Sequence, residues 1–195
     1  MVSDRRPTLV TQSLGLRPPV RDDAPHIQRL AAAREIAAGT ATIPHPYPEG
    51  AAEAWIERAN AEITQGRGAP FIVLRRQGSV LIGNVGLRIE AVHRRAELGY
   101  WIGVPHWGQG YASEASLAVL RFAFEELGLQ RVFANHFRRN PASGRVLEKL
   151  GMTYEGRMRS HVLKWDSFED LECYGILQSD WRLRHGAGAA QEAPA

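Results

Sequence analysis

The sequence predicts an α/β fold (of the α+β kind) built on a mixed sheet. Two observations lead there. Strand-like runs in the middle of the 195-residue chain arrive as neighbouring hairpins, and the later ones alternate with helix-like runs. Hairpins give antiparallel neighbours and a strand–helix–strand step gives a parallel one, so the sheet contains both. There is no internal repeat that would turn the chain into an array.

Taken in order, the first strand runs from Leu9 to Leu16 and is closed by Pro18-Pro19. Asp22 or Asp23 then caps a helix reaching about Ala38, with Pro25 tolerated in its first turn. Thr40 to Pro48 (TATIPHPYP) carries three prolines, which forbid a helix and stiffen the connection. A second helix spans about Gly50 to Gln65, carries Trp55 and Ile56, and stops at Gly66 and Gly68. Phe71 to Arg76 and Val80 to Ile89 form a hairpin around Gln77-Gly78-Ser79. Ala96 to Gly103 (AELGYWIG) is the next strand. Gly108-Gln109-Gly110 leads into a helix from Tyr111 to Leu127, where Ala115, Ala118, Val119, Phe122 and Ala123 share one face. Arg131 to His136 is a strand, Asn140-Pro141 opens a short helix ending before Gly151, and Tyr154 to Leu163 and Glu169 to Ile176 close the sheet. Residues 1–184 read as one domain. His185 to Ala195 (HGAGAAQEAPA) reads as a loose tail, being too poor in apolar area to order itself.

Composition narrows the function classes. With 44% hydrophobic and 23% charged residues the chain is an ordinary soluble globular protein, and 195 residues suffice for a sizeable core. The net charge is +3, too small and too dispersed for a dedicated nucleic-acid binder. Twenty-two of the 24 basic residues are Arg, which favours fork-shaped recognition of anions. No run of about 20 apolar residues exists to span a membrane. The start lacks the apolar stretch of a secretion signal, and the single cysteine, Cys173, cannot form an internal disulfide, so a cytoplasmic setting is expected. The seven histidines make no ligand pattern and no metal is expected.

The segment with most chemistry in it is His106-Trp107-Gly108-Gln109-Gly110-Tyr111-Ala112-Ser113. Glycines at the end of a strand and the start of an amphipathic helix turn backbone N–H groups toward one point, where the helix dipole adds positive potential. That makes a phosphate receptor, although a plain tight turn would look the same. It is no dinucleotide fingerprint, since Ser113 replaces the third glycine, and it lacks the P-loop lysine. In the preceding strand, Gly99 and Gly103 flank Tyr100-Trp101-Ile102, a pattern of a bulge or of close ligand approach. Downstream, Asn140 is a natural N-cap and Ser143 falls in the first helical turn. Arg138, Arg139 and Arg145 form either a solvated face or the grip on a second phosphate.

The strings AELGYWIG, VPHWGQGYASEA and, about thirty residues on, NPASGRVLEKLGM resemble the GNAT acetyltransferase superfamily. More narrowly they resemble its ribosomal-protein N-terminal acetyltransferase (Rim-type) branch, from about Leu16 to Trp181. The resemblance implies a sheet of about seven strands with four helices, acetyl-CoA as donor and a primary amine as acceptor. It implies the cofactor pyrophosphate on the N–H groups of Gly108, Gln109, Gly110, Tyr111 and Ala112. The pantetheine arm is expected along Trp101, Ile102 and Gly103, with Asn140 and Ser143 beside the arm and its sulfur. Where many superfamily members carry a tyrosine acid, this chain has Leu147, so Ser143 is the expected proton donor to the leaving thiolate. Glu97 is the expected base, with His136, His161 or water as alternatives.

Such a reaction needs an amine freed of its proton and a fixed N–H for the developing oxyanion, an effect worth about 3–4 kcal/mol. The proline loop IPHPYP and Trp55 are candidates for the rim of the acceptor slot, or form a rigid connector. A protein or peptide N-terminus is the expected acceptor, with a small amine as the alternative. Two other classes fit the phosphate loop: a non-catalytic acyl-CoA-binding module and a nucleotide-binding module. Nucleic acid and membrane are not expected partners; because superfamily members often pair, a homodimer is among the expected states.

Overall fold

The computed structural model describes residues 7–185. The strands are β1 (Leu9–Val10), β2 (Leu14–Arg17), β3 (Gly68–Arg75), β4 (Val80–Glu90), β5 (Arg95–Ile102), β6 (Arg131–Phe137), β7 (Thr153–Lys164) and β8 (Ser167–Leu177). The helices are α1 (Ala24–Ala31), α2 (Arg34–Gly39), α3 (Ala51–Thr64), α4 (Tyr111–Arg121), α5 (Pro141–Lys149) and α6 (Gln178–His185). All strands join one sheet in the order β1-β2-β3-β4-β5-β6-β8-β7. Only β5 and β6 run parallel, which makes the sheet mixed as expected.

The strand and helix totals exceed the expected seven and four, for three physical reasons. What reads as one strand over Leu9 to Leu16 is a tight hairpin. Thr11 turns the chain by accepting the Leu14 N–H at 3.0 Å, and Glu114 of α4 clamps the turn through Thr11 Oγ1 (2.6 Å) and the Ser13 N–H (2.7 Å). The first helix breaks between α1 and α2, with Ala33 in an extended conformation at ψ 129°. Alanine is the strongest helix former, so tertiary packing rather than local propensity imposes that break. Lastly, α6 follows β8 directly and inserts Trp181, 2% exposed, against Phe124 at 5.5 Å between ring centroids. His185, assigned to the tail on sequence, is the last residue of α6 and lies 4.0 Å from the Trp181 ring. The remainder of the expected tail, residues 186–195, lies outside the described residues. The expected helix from Tyr111 to Leu127 is α4 plus a π turn over Phe122–Glu126.

Alternation along the strands sorts the core onto two faces. On one, α1 and α3 bring Ala24, Ile27, Ala52 and Ile56 against Ile72 and Leu81. On the other, α4, α5 and α6 cover the larger cluster, with Val119, Leu120, Leu147 and Trp181 packed on Leu16, Val85, Leu98 and Ile102. An ion pair ties the start of α1 to the sheet: the Arg17 guanidinium grips buried Asp23 at 2.7 and 2.8 Å, and Asp23 also accepts the Val20 N–H.

Candidate active site

The site begins with a failure of strand pairing. β5 and β6 are in register at Arg95↔Arg131, Ala96↔Val132 and Glu97↔Phe133, and beyond Glu97 no further pair forms. β5 continues to Ile102 on β4 alone, so the two parallel strands part like the arms of a V. The Gly103 N–H donates to the Ile82 carbonyl on β4 at 2.8 Å. Backbone groups alternate sides along a strand, so Trp101 and Gly99 also turn theirs to β4, while Leu98, Tyr100 and Ile102 turn theirs to the gap. This corrects the expectation that Trp101 and Gly103 offer the pairing groups: of the residues expected along that stretch, Ile102 alone faces the gap with its N–H. Its carbonyl already accepts the Trp107 indole N–H.

That indole bond fastens the next segment. After a turn over Val104–His106 the chain passes Gly108 (φ 73°) and Gly110 (φ 81°), both left-handed, and enters α4 at Tyr111. At either glycine the position a Cβ would take is surrounded by open space, so backbone conformation and not crowding demands glycine there. The first-turn N–H groups of α4 have no intrahelical acceptors. Glu114, the acidic residue of that turn, is held by Thr11 and Ser13 instead. A smaller pocket beside Tyr111 is lined by Arg75 and Arg76, and burial together with the Arg75 charge pushes the His106 imidazole down. The neighbourhood is thus suited to an anion.

At the mouth of the V stands the start of α5. Asn140 caps it, its Oδ1 accepting the Ser143 N–H at 3.3 Å. Ser143 Oγ lies 2.6 Å from the Tyr100 hydroxyl, which is also 3.2 Å from the Ser143 carbonyl. Burial pushes Tyr100 up to about 12, so its hydroxyl stays protonated and can serve as a donor. Sequence reading missed this partner of Ser143. The signal was present, because Tyr100 and Ile102 share the face of β5 covered by α5, but the contact spans 43 residues. Leu147, at the position where superfamily members place a tyrosine acid, is 1% exposed and belongs to the core.

The bases expected from sequence are placed very differently. Glu97 lines the cleft with its carboxylate ion-paired to Arg88 and touched by Asn135 Nδ2 at 3.3 Å. His136 donates from Nδ1 to the Phe137 carbonyl (2.8 Å), and its Nε2 is buried without a partner beneath Gly144. A methyl group on Gly144 would meet that Nε2 at 2.8 Å, so α5 covers the Nε2 edge of a residue that otherwise lines the cleft. His161 lines the cleft from β7. The arginine cluster is mostly engaged elsewhere: Arg139 pairs with Glu169 at 2.7 Å and Arg138 lies 4.0 Å from Asp170, both on β8.

The cleft itself encloses about 1170 Å³ and runs from Ser143 across the sheet to α3. Its rim includes Ile43, Pro44, Tyr47 and Trp55, as expected for the proline loop. Two anchors hold that loop: Lys164 Nζ donates to the Ile43 carbonyl at 2.7 Å, and Gln28 Nε2 to the Tyr47 and Pro48 carbonyls. Two carboxylates, Glu62 and Glu97, line the cleft and are matched by two guanidinium groups, Arg58 and Arg88. Among the described residues no group of three His, Cys, Asp or Glu side chains converges as a metal site.

Comparison with known proteins places this architecture. The family model of the acetyltransferase (GNAT) domain matches residues 13–153. The uncharacterized N-acetyltransferase YoaA of Bacillus subtilis is 39% identical over 113 residues, covering 57% of this chain and 64% of that protein. The ribosomal-protein-serine acetyltransferase of Escherichia coli is 32% identical over 98 residues, covering 50% of this chain and 55% of the other. The chain thus spans less than two thirds of the length of these curated relatives. Among solved structures, the spermidine N-acetyltransferase of Vibrio cholerae in complex with CoA and spermine superposes with a TM-score of 0.77. It is 27% identical, and the match covers 88% of this chain and 99% of that one. The chain belongs to the GNAT acetyltransferase family, and its relatives are consistent with the Rim-type branch.

Proposed function

We propose that the protein is an acetyl-CoA-dependent N-acetyltransferase whose acceptor is a protein or peptide N-terminus. The observation that carries this reading is the parting of β5 from β6 beside the glycine-started helix α4, with Ser143 at the mouth of the gap. The N–H groups of Gly108, Gln109, Gly110, Tyr111 and Ala112 hold the pyrophosphate at the dipole-positive end of α4. The strand edge of Tyr100 and Ile102 pairs with the amide-bearing arm, and an N–H from that edge polarises the thioester carbonyl. Asn140 keeps the start of α5, and so Ser143, beside the sulfur.

In the reaction the acceptor nitrogen forms a bond to the acetyl carbon, and the carbon–sulfur bond breaks. The proton lost by the amine goes to Glu97, directly or through water. Ser143 Oγ–H protonates the departing thiolate and is replenished from water. With Tyr100 as the donor of the pair it forms with Oγ, the serine's own proton is free for the sulfur. A cytoplasmic setting belongs to this reading, in keeping with the free thiol of Cys173.

Charge balance supports a peptide acceptor over a polyamine. A polycation needs surplus negative charge, whereas the cleft's Glu62 and Glu97 are offset by Arg58 and Arg88. The Escherichia coli relative named for a ribosomal protein points the same way. A small amine is the second reading, favoured by the likeness to the spermidine enzyme. The experiment is CoA release from acetyl-CoA with a free-amine hexapeptide library, N-blocked hexapeptides and spermidine in parallel. Release with free-amine peptides alone is expected. Release with spermidine alone would replace the peptide by a polyamine, and no release with any amine would leave a binding module.

A further inference from the structure

Three of the four glycines that stand in or next to the cleft-forming stretches of β4 and β5 have a packing reason to be glycine. A side chain on Gly83 would meet the Trp101 carbonyl at 2.3 Å, one on Gly86 the Pro70 Cα at 2.9 Å, and one on Gly103 the Leu30 Cδ2 at 2.9 Å. Gly99 has no such reason. Nothing lies within 4 Å of the position its Cβ would take, and its φ is not in the left-handed region. It sits in mid-strand, where glycine is a poor strand former and a β-branched residue is preferred. Local physics therefore argues against glycine here.

Register explains what the missing side chain creates. Gly99 pairs directly with Gly86, and both line the cleft. The neighbours on the same face are Glu97 opposite Arg88 to one side and Trp101 opposite Asn84 to the other. The floor of the cleft there is the open backbone of Gly99 beside that of Gly86, against which Pro70 is packed, and it is walled by an ion pair and by an indole. It lies on the face where Trp55, Arg58 and Glu62 of α3 form the opposite wall, and Ser143 reaches the same cleft through the gap between β5 and β6.

We propose that Gly99 is a specificity-determining residue: its bare backbone is the floor over which an extended acceptor chain passes to reach the thioester. The proposal rests on the acetyltransferase reading and names its acceptor route. A peptide main chain crosses the Gly86–Gly99 pair with its amine toward Glu97, and any side chain at position 99 stands in its path.

The test uses the full chain with Gly99→Ala and Gly99→Val, and two ligands. One is acetyl-CoA; the other is a conjugate joining CoA sulfur to a hexapeptide N-terminus through an –CH2–CO– bridge. Both variants are expected to melt no lower than the parent, and to bind acetyl-CoA within about twofold of it. Gly99→Val is expected to weaken the conjugate more than tenfold, with Gly99→Ala between, and to raise the peptide KM without a matching fall in kcat. Equal weakening of acetyl-CoA and conjugate would assign the space to the cofactor and overturn the proposal. Unchanged binding of both ligands would overturn it too. Should the parent release no CoA with peptides, the peptide-acceptor reading fails on that result, while the conjugate comparison still decides the route.

Discussion

Removing one oxygen atom, by Tyr100→Phe, separates two accounts of Ser143. In the structure the phenol lies 2.6 Å from Ser143 Oγ and holds the hydroxyl at the mouth of the gap. A hydrogen bond of this kind is worth about 0.5–1.5 kcal/mol net, so if it serves to orient the serine, kcat should fall about 2- to 13-fold. Ser143→Ala removes the donor itself and should lower kcat by about 100-fold, the lower range for positioned proton transfer. Because Tyr100 acts through Ser143, adding Tyr100→Phe to Ser143→Ala should change kcat no further, a strongly non-additive cycle. The assay is CoA release at saturating acetyl-CoA, with acetyl-CoA affinity measured separately and expected to stay constant. Tyr100 also has a pH signature. Its hydroxyl ionises near 10 when the chain is unfolded and at about 12 in the fold. Its contribution is therefore fully present below pH 10 and is lost as pH rises toward 12, by roughly 2–3 kcal/mol in all. Urea melts between pH 9 and 12 should show that loss in the parent and a shallower one in Tyr100→Phe. An unchanged kcat in Tyr100→Phe, or effects that simply add in the double variant, would refute the orienting role.

Other outcomes follow from the same geometry. Gly110→Asp should abolish the thermal stabilisation by acetyl-CoA, which for the parent at about 100 times Kd amounts to roughly 2.7 kcal/mol; a preserved shift in melting scans would remove the loop as the phosphate site. Asp23→Ala strips the Arg17 guanidinium and the Val20 N–H of their shared acceptor. It should lower stability by about 2 kcal/mol in urea unfolding, the cost of losing charge-assisted hydrogen bonds to a partly exposed guanidinium. Gly144→Ala places a methyl 2.8 Å from His136 Nε2. Despite alanine's better helix propensity it should destabilise by about 1 kcal/mol and slow turnover by shifting Ser143, measured by melting and by kcat. Glu97→Gln should lower kcat/KM while acetyl-CoA affinity holds; an unchanged kcat/KM would hand the base to His136, His161 or water.

How much of this was legible beforehand depended on whether the determinant was local. The proline loop, the Gly108–Gly110 turn and the Asn140 cap are each set within a few residues by backbone chemistry, and the structure has them where sequence puts them. The hairpin at Thr11 was hidden because its clamp, Glu114, lies 103 residues away. The α1–α2 break was hidden because it runs against the propensity of an alanine run. At the candidate site, the glycine loop and the Asn140 cap could be read from the residues and Ser143 only through the family resemblance, whereas the serine's partner Tyr100 and the covering of His136 Nε2 by Gly144 required helix α5 to be docked on the sheet.

The sequence by itself therefore determined the class of the fold, the left-handed glycine turn before α4 and the cap of α5, because glycine, proline and capping side chains act over one or two turns of chain. Tertiary structure alone decided which face of β5 each residue serves. It turned Ile102 and Tyr100 to the gap, committed Gly103 to β4, drew Arg139 to Glu169 and left Gly99 uncovered. Those outcomes hang on strand register and on where β5 leaves β6, and register is settled by contacts between segments far apart in the chain.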